Sequence, residues 1–427
     1  MPMTTSFETN SLVPNWFLTF SRGLSSALRS GPRRCRSVLC ARRPSPATRR
    51  LPASKAVIFL ILAAVFVSGP VTAETNLDKT GQLRTFLDTA RAEHGLVGLG
   101  AVVATREDGV IALAVSGDRS RGGDPILPSD AWHIGSNTKM LTALAWARLV
   151  ESGDARWGMT LAEIFGDTDL HAGWRDVTIE DLLSHRSGAA PNPGIGWTLA
   201  APLRTAPTYV QRRKLVAATL KKAPAGSRGA FVYSNLGYII AGRAIELQAA
   251  PEGQTYEQVM ARAVIAKAPK GAGQGFGFGP PPEGIQGHKK GLFGRLSPTG
   301  FGAGADNPSA FASAGTVHIS LRGHTLLLLP FLEGPDALPV SMRTKLLTPY
   351  PDAGADYALG WGVGKDAEAG PLYMHAGSNT MWLSQVVVAP EPGAVIIINT
   401  NQTGASADAA VRELTGTLLD WAKDDFR

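Results

Sequence analysis

Apolar residues at strand spacing gather at the two ends of this chain, and helical spacing fills the stretch between them. Residues 98–105 and 110–116 read as strands joined by an Asp108-Gly109 hairpin turn. Near the other end, residues 357–364, 371–376, 380–389 and 394–400 read as successive antiparallel strands, with a turn at Glu391-Pro392-Gly393. The simplest way to bury all of these faces is one sheet built from both ends of the chain. Amphipathic helices over 77–94 and 405–423 are placed to cover it. The middle predicts helices over 136–151, 177–184, 236–248 and 321–332, with Asp176 or Thr178 as a cap for the second of these. Residues 271–304 are rich in glycine and contain Pro280-Pro281-Pro282, which predicts a long loop. The expected class is therefore α+β or α/β: an antiparallel sheet flanked by N- and C-terminal helices, plus an inserted helical domain. The sheet part would span about 74–125 and 351–427, and the helical part about 126–350.

The charge balance separates a leader from the rest. Ten of the 42 Lys and Arg, but only one of the 35 acids (Glu8), fall in residues 1–73. The remainder carries 32 basic and 34 acidic residues, so no basic nucleic-acid surface is expected. Within the leader, basic residues cluster from Arg33 to Lys55. An uncharged apolar run over 56–67 follows, then small residues ending at Ala73. That order is a signal peptide's, and the apolar run is shorter than the ~20 residues of an ordinary membrane span. Export to a periplasm or the exterior is expected, with membrane contact only through an uncleaved signal. Both cysteines, Cys35 and Cys40, lie in this leader, so residues 74–427 offer no disulfide or thiolate chemistry. The eight histidines show no metal-ligand spacing, and neither metal nor cofactor is expected.

Ser136 and Lys139 stand three residues apart at the head of a periodic helix, so they share one face. A serine hydroxyl is a poor nucleophile until a base takes its proton. A lysine can be that base if burial or neighbours lower its pKa. Two further motifs follow in order: Tyr233-Ser234-Asn235 directly before a helix, and His375-Ala376-Gly377-Ser378 at a strand end. With these three motifs, residues 77–423 resemble the serine β-lactamase and penicillin-binding-protein superfamily. The branch is the one that holds class C β-lactamases, D-alanyl-D-alanine carboxypeptidases and β-lactamase-like esterases. The segments Leu182-Leu183-Ser184-His185-Arg186-Ser187-Gly188 and Tyr357-Ala358-Leu359-Gly360-Trp361-Gly362 belong to the same likeness.

The resemblance implies a cleft between sheet and helical parts, with Ser136 forming an acyl-enzyme. It implies a base shared between Lys139 and Tyr233, with the choice between them open. Asn235 would hold Lys139 or a substrate amide, or simply cap the helix that follows. The N–H groups of Ser136 and Ser378, with Gly377 between strand and turn, would form the oxyanion hole. His375 would line the site with a partly charged head, and Trp382 would wall the acyl pocket. Three departures from the family pattern stand out. Ala376 replaces a hydroxyl that grips a substrate carboxylate in many relatives, with Ser378 or Asn379 as substitutes. Residues 379–382 replace a Pro-Gly-aromatic turn. His318, Arg322 and His324 stand where relatives often carry Ser-Thr-Ala and an aspartate. His185 and His133 read as loop or core histidines.

The expected function is an exported serine hydrolase acting through an acyl-serine on an ester, amide or β-lactam carbonyl of a small-molecule or peptidoglycan-like substrate. The loss of the hydroxyl at 376 favours an ester. A D,D-carboxypeptidase or β-lactamase is the alternative enzyme. A binding or sensor protein that does not turn over is the alternative without catalysis.

Overall fold

The computed structural model describes residues 71–166, 170–200, 204–291 and 294–425. The expected leader lies outside these residues except for its last three, which begin the first helix. In chain order, the elements that build the sheet's first edge and the site are α1 (Val71–His94), β1 (Gly98–Thr105), β2 (Gly109–Gly117), β3 (Ala131–His133), α2 (Thr138–Ser152), α3 (Ile179–Leu183) and α4 (Asn235–Gln248). Then come β4 (Gly277–Phe278), α5 (Ala312–Gly315), β5 (Val317–Ser320) and α6 (Leu321–Leu328). The chain returns to the sheet through β6 (Gly362–Asp366), β7 (Gly370–Ser378), β8 (Leu383–Ala389), β9 (Ala394–Thr400) and α7 (Ala405–Asp425).

The main sheet runs β2-β1-β9-β8-β7-β6, antiparallel throughout. Pairing β1 with β9 joins the two ends of the chain, with Val102 opposite Ile397. Both faces of the central strands are covered, so β1, β8 and β9 are buried at every position and read as apolar runs rather than alternations. The side chains still alternate between two cores. Leu99, Ala101, Val103 and Ile396 pack under Leu83 and Leu87 of α1 and Leu414 and Leu418 of α7. Val102, Val386 and Ile397 face Trp132, Leu141, Trp146 and the helical segments. Each fully buried Leu, Ile or Val contributes about 1.5–3 kcal/mol, so this two-sided burial fixes the sheet's register.

Several expected boundaries move. The helix at 136–151 begins two residues later, because residues Gly135–Asn137 form a 3-10 turn that holds Ser136 ahead of α2. The helix expected at 177–184 is confined to α3, and Thr178 caps it in a reciprocal box with Asp181. The helix at 321–332 stops at Leu328, and Leu329–Phe331 continue as a 3-10 turn because Pro330 lacks the N–H that an α-helix needs. The strand expected at 357–364 is β6 only, since Ala358 N–H bonds Trp361 O in a tight turn. The strand expected to start at Thr380 starts at Leu383, because Thr380 sits at φ 73°. The region 271–304 is not all loop: it supplies β4 and a hairpin of His288–Lys290 with Leu296–Pro298. The short sheet β3-β5-β4, absent from the sequence reading, anchors the turn that carries Ser136.

Candidate active site

Two chain segments meet at Ser136 more closely than side chains would allow. Gly135 lies at φ 52°, and a Cβ there would sit 2.3 Å from Ser378 N. A Cβ on Gly377 would sit 1.9 Å from Ile134 O and 2.8 Å from Ser136 N. Real Cβ contacts do not reach these distances, so both positions need glycine. The result is direct backbone contact between the Ser136 turn and the end of β7, which brings the amides of Ser136 and Ser378 to one place. Ser136 itself is half-exposed.

Lys139 lies in the first turn of α2, one turn beyond Ser136, and is 0% exposed. Its Nζ is 3.0 Å from Ser136 Oγ, 2.7 Å from Asn235 Oδ1 and 2.7 Å from Ala314 O. The Tyr233 and Tyr238 rings close the remaining space, 4.8 and 5.4 Å from Nζ to their centroids. Desolvation in this pocket holds the amine well below the usual lysine value. A neutral amine has two N–H donors and one lone pair. In that form the two short contacts to carbonyl-type oxygens would take both donors and leave the lone pair to face the Ser136 hydroxyl.

Tyr233 precedes Ser234, the cap of α4, whose Oγ accepts from Gly237 N–H. Asn235 is therefore the first helical residue and not the cap. Its Oδ1 accepts from Lys139, and its Nδ2 donates to Asn192 Oδ1 at 2.8 Å. The Tyr233 phenol is hydrogen-bonded to Ser136, and burial raises its pKa, which keeps it protonated. His185 stacks under it with centroids 4.1 Å apart, and His185 Nδ1 accepts from Ser234 N–H at 3.0 Å. Burial lowers the His185 pKa and keeps the ring neutral, so it acts as the floor beneath Tyr233.

Two of the expected substrate-facing residues do not face the cleft. His375 is 1% exposed. One ring nitrogen meets the Tyr357 hydroxyl and the other Asn137 Oδ1, each at 3.1 Å. Burial pushes its pKa down to about 3, so the expected partial charge at neutral pH is corrected to none. Trp382 is also 1% exposed and packs edge-on against Trp132 at 6.1 Å. It is a core residue, and its neighbour Met381 takes the wall position instead. Ser378 remains half-exposed, with its Oγ accepting from Thr380 N–H at 3.0 Å. Asn379 is buried and donates to Asp306 Oδ1 at 2.9 Å.

The unusual 315–324 segment is packing. His318 is bonded through Nδ1 to Gly279 O at 2.9 Å. His324 is fully buried, and burial pushes it down to about 3. Arg322 points to solvent. Beside the site is a cavity of about 500 Å³ lined by Thr316, Asn379, Met381, Asp306, Phe278 and Lys289, among others. Its walls begin one residue from Gly315 and Ser378. Asp306 and Asn192 join the site without a sequence signal, since neither lies in a periodic element, whereas Met381 lies in the 379–382 departure from the family pattern. Among the described residues, the one group of three acids and histidines close enough to share a cation is Glu93, His94 and Glu413, which lies on α1 and α7.

Comparison with known proteins fits this geometry. The Beta-lactamase family model matches residues 83–418. An unguisins hydrolase of Aspergillus violaceofuscus (strain CBS 115571) is 33% identical over 121 residues, covering 26% of this chain and 20% of that protein. The match thus spans about a fifth of that relative's length. Among solved structures, SurE superposes with a TM-score of 0.65 at 21% identity, over 80% of this chain and 76% of the other. The octameric penicillin-binding protein homologue from Pyrococcus abyssi gives 0.63 at 22% identity, over 80% and 77%. The D-amino acid amidase from Ochrobactrum anthropi SV3, complexed with D-phenylalanine, gives 0.62 at 18% identity, over 80% and 99%. At these identities the structures speak for the fold. The family match covers most of the chain, and the chain belongs to the β-lactamase family.

Proposed function

We propose that this protein is an exported serine hydrolase that works through an acyl-serine intermediate at Ser136. The observation that carries this reading is a fully buried Lys139 whose Nζ is 3.0 Å from Ser136 Oγ, with desolvation lowering the amine's pKa well below the usual lysine value. In this reading Lys139 takes the hydroxyl proton as Oγ attacks the carbonyl. The oxyanion forms between the N–H groups of Ser136 and Ser378, where each such donor is typically worth about 2.7–4 kcal/mol. Tyr233, held protonated, hands a proton to the leaving group and is refilled from Lys139. Water then repeats the attack on the acyl-serine in reverse. Lys139 is the base in this reading, supported by burial that favours its neutral form and disfavours a Tyr233 phenolate.

The buried Ala376 methyl offers no hydrogen bond to a substrate carboxylate. That supports esters as the fastest class over β-lactams and D-Ala-D-Ala peptides. Amides are the second reading, favoured by Tyr233: an amine leaves only when protonated, and a neutral phenol beside Ser136 can supply that proton. The named amidase among the fold neighbours, and a D-stereospecific amidohydrolase from a Streptomyces species, point the same way. A side-by-side panel of p-nitrophenyl butyrate, D-phenylalanine amide, nitrocefin and a D-Ala-D-Ala peptide tests the ranking. A nitrocefin rate far above both the ester and amide rates overturns it. A binding protein without turnover would be acylated by the ester in one burst and release no more product.

A further inference from the structure

We infer that Asp306 is a positioning residue that holds both oxyanion donors through a single carboxylate oxygen. His133 Nε2 lies 2.9 Å from Asp306 Oδ1, with the two side chains 0% and 3% exposed. His133 Nδ1 accepts from Gly135 N–H at 3.1 Å, so the ring proton is on Nε2 and donates to Asp306. Gly135 is the residue before Ser136. On the other side, Asn379 Nδ2 donates to the same Oδ1 at 2.9 Å. Asn379 is the residue after Ser378, and its own Oδ1 accepts from Met381 N–H at 3.2 Å. One oxygen thus ties the segment carrying each proposed donor, from behind, to a common point. Gly135 and Gly377 let the two backbones touch, but glycine leaves both chains free to move. The Asp306 links restrict what the glycines permit. Asp306 also lines the cavity of about 500 Å³ beside the site, so an occupant of that cavity meets the group that sets the donor spacing.

The inference rests on the acyl-serine reading, and its test separates the two. The assay measures kcat and KM on p-nitrophenyl butyrate, the melting temperature, and the affinity of an alkyl boronic acid that forms a tetrahedral adduct on Ser136. Asp306→Ala should lower kcat about 10- to 100-fold, less than deleting a donor outright, with KM nearly unchanged and boronate affinity falling in proportion. Asp306→Asn keeps an acceptor at Oδ1 and should stay within about 5-fold of wild type. The double variant Asp306→Ala/Asn379→Ala should lose no more than Asp306→Ala alone, because both act through one network. If Asp306→Ala does not fold, His133→Asn decides on the same readouts. It can still accept from Gly135 N–H but cannot reach Asp306, so boronate affinity should fall. A variant that melts lower yet keeps its kcat and boronate affinity overturns the inference, as does a loss confined to KM. A wild type that neither binds the boronate nor turns over the ester overturns the acyl-serine reading, and this inference with it.

Discussion

The two walls that meet at Ser136 contribute different things. The helical wall supplies side chains: Lys139, Tyr233 and Asn235 converge within hydrogen-bond reach and are held in defined protonation states by burial. The sheet wall supplies backbone. Its noticeable side chains, His375 and Trp382, turn inward, and what it presents is the glycine-lined end of β7. Motif residues on the helical side are therefore expected to matter through their functional groups. Those on the sheet side are expected to matter through shape.

Substitutions can break that contrast, beginning with the helical wall. Ser136→Ala should abolish covalent labelling by a serine-reactive acyl probe. Lys139→Ala should slow acylation by about 10²–10⁴-fold, the range for a general base. Lys139→Met should do the same and should remove the part of the stability's pH dependence that this amine contributes. Burial lowers this amine's pKa in the fold while the unfolded chain keeps the usual value, so the desolvated lysine carries a penalty that shrinks as pH rises toward 10.5. A melting temperature whose rise from pH 7 toward 10.5 is the same in wild type and Lys139→Met would argue that the amine is charged in the fold.

On the sheet wall, Gly377→Ala should match a catalytic deletion without touching a functional group. The added methyl must displace Ile134 O or the Ser136 amide, and about 10²-fold in kcat is expected from the lost oxyanion alignment. Wild-type kcat in that variant would show that the two backbones need not touch.

The buried histidines sharpen the comparison through pH. His324 and His375 refuse protons down to about pH 3 in the fold, whereas the unfolded chain takes them near 6.5. Stability should therefore fall as pH drops from 6.5 toward 3. His324 makes no hydrogen bond through either ring nitrogen. His324→Leu should leave neutral-pH activity unchanged and flatten the dependence of melting temperature on pH between 4 and 6. Trp382→Phe should also have little catalytic effect. It should cost about 1–3 kcal/mol of stability from lost packing and leave KM within about twofold, because this side chain does not line the cleft.

The helical wall was legible because each of its motifs abuts a helix whose period is plain in the sequence. Ser136 precedes α2 and Tyr233 precedes α4, so spacing and face followed from 3.6-residue geometry. The sheet was legible as a set of apolar runs but not as a set of faces. When both sides of a strand are covered, alternation no longer tells which side chain meets a cleft, so it could not correct the resemblance that placed His375 and Trp382 at the site. Asp306 and the β3-β5-β4 sheet were not legible at all. They are short, irregular or flanked by glycine, and only tertiary contact assigns them a role.

The central claim is that a neutral, buried Lys139 activates Ser136. Its most direct test is the rate at which an acyl probe modifies Ser136 as a function of pH, with the labelled peptide identified by mass. The account predicts labelling at Ser136 that is already fast at pH 7, declines only as an amine titrating well below 10.5 gains its proton, and collapses in Lys139→Ala. Labelling at another residue, or a rate that climbs only toward pH 10.5 and survives the loss of Lys139, would contradict it.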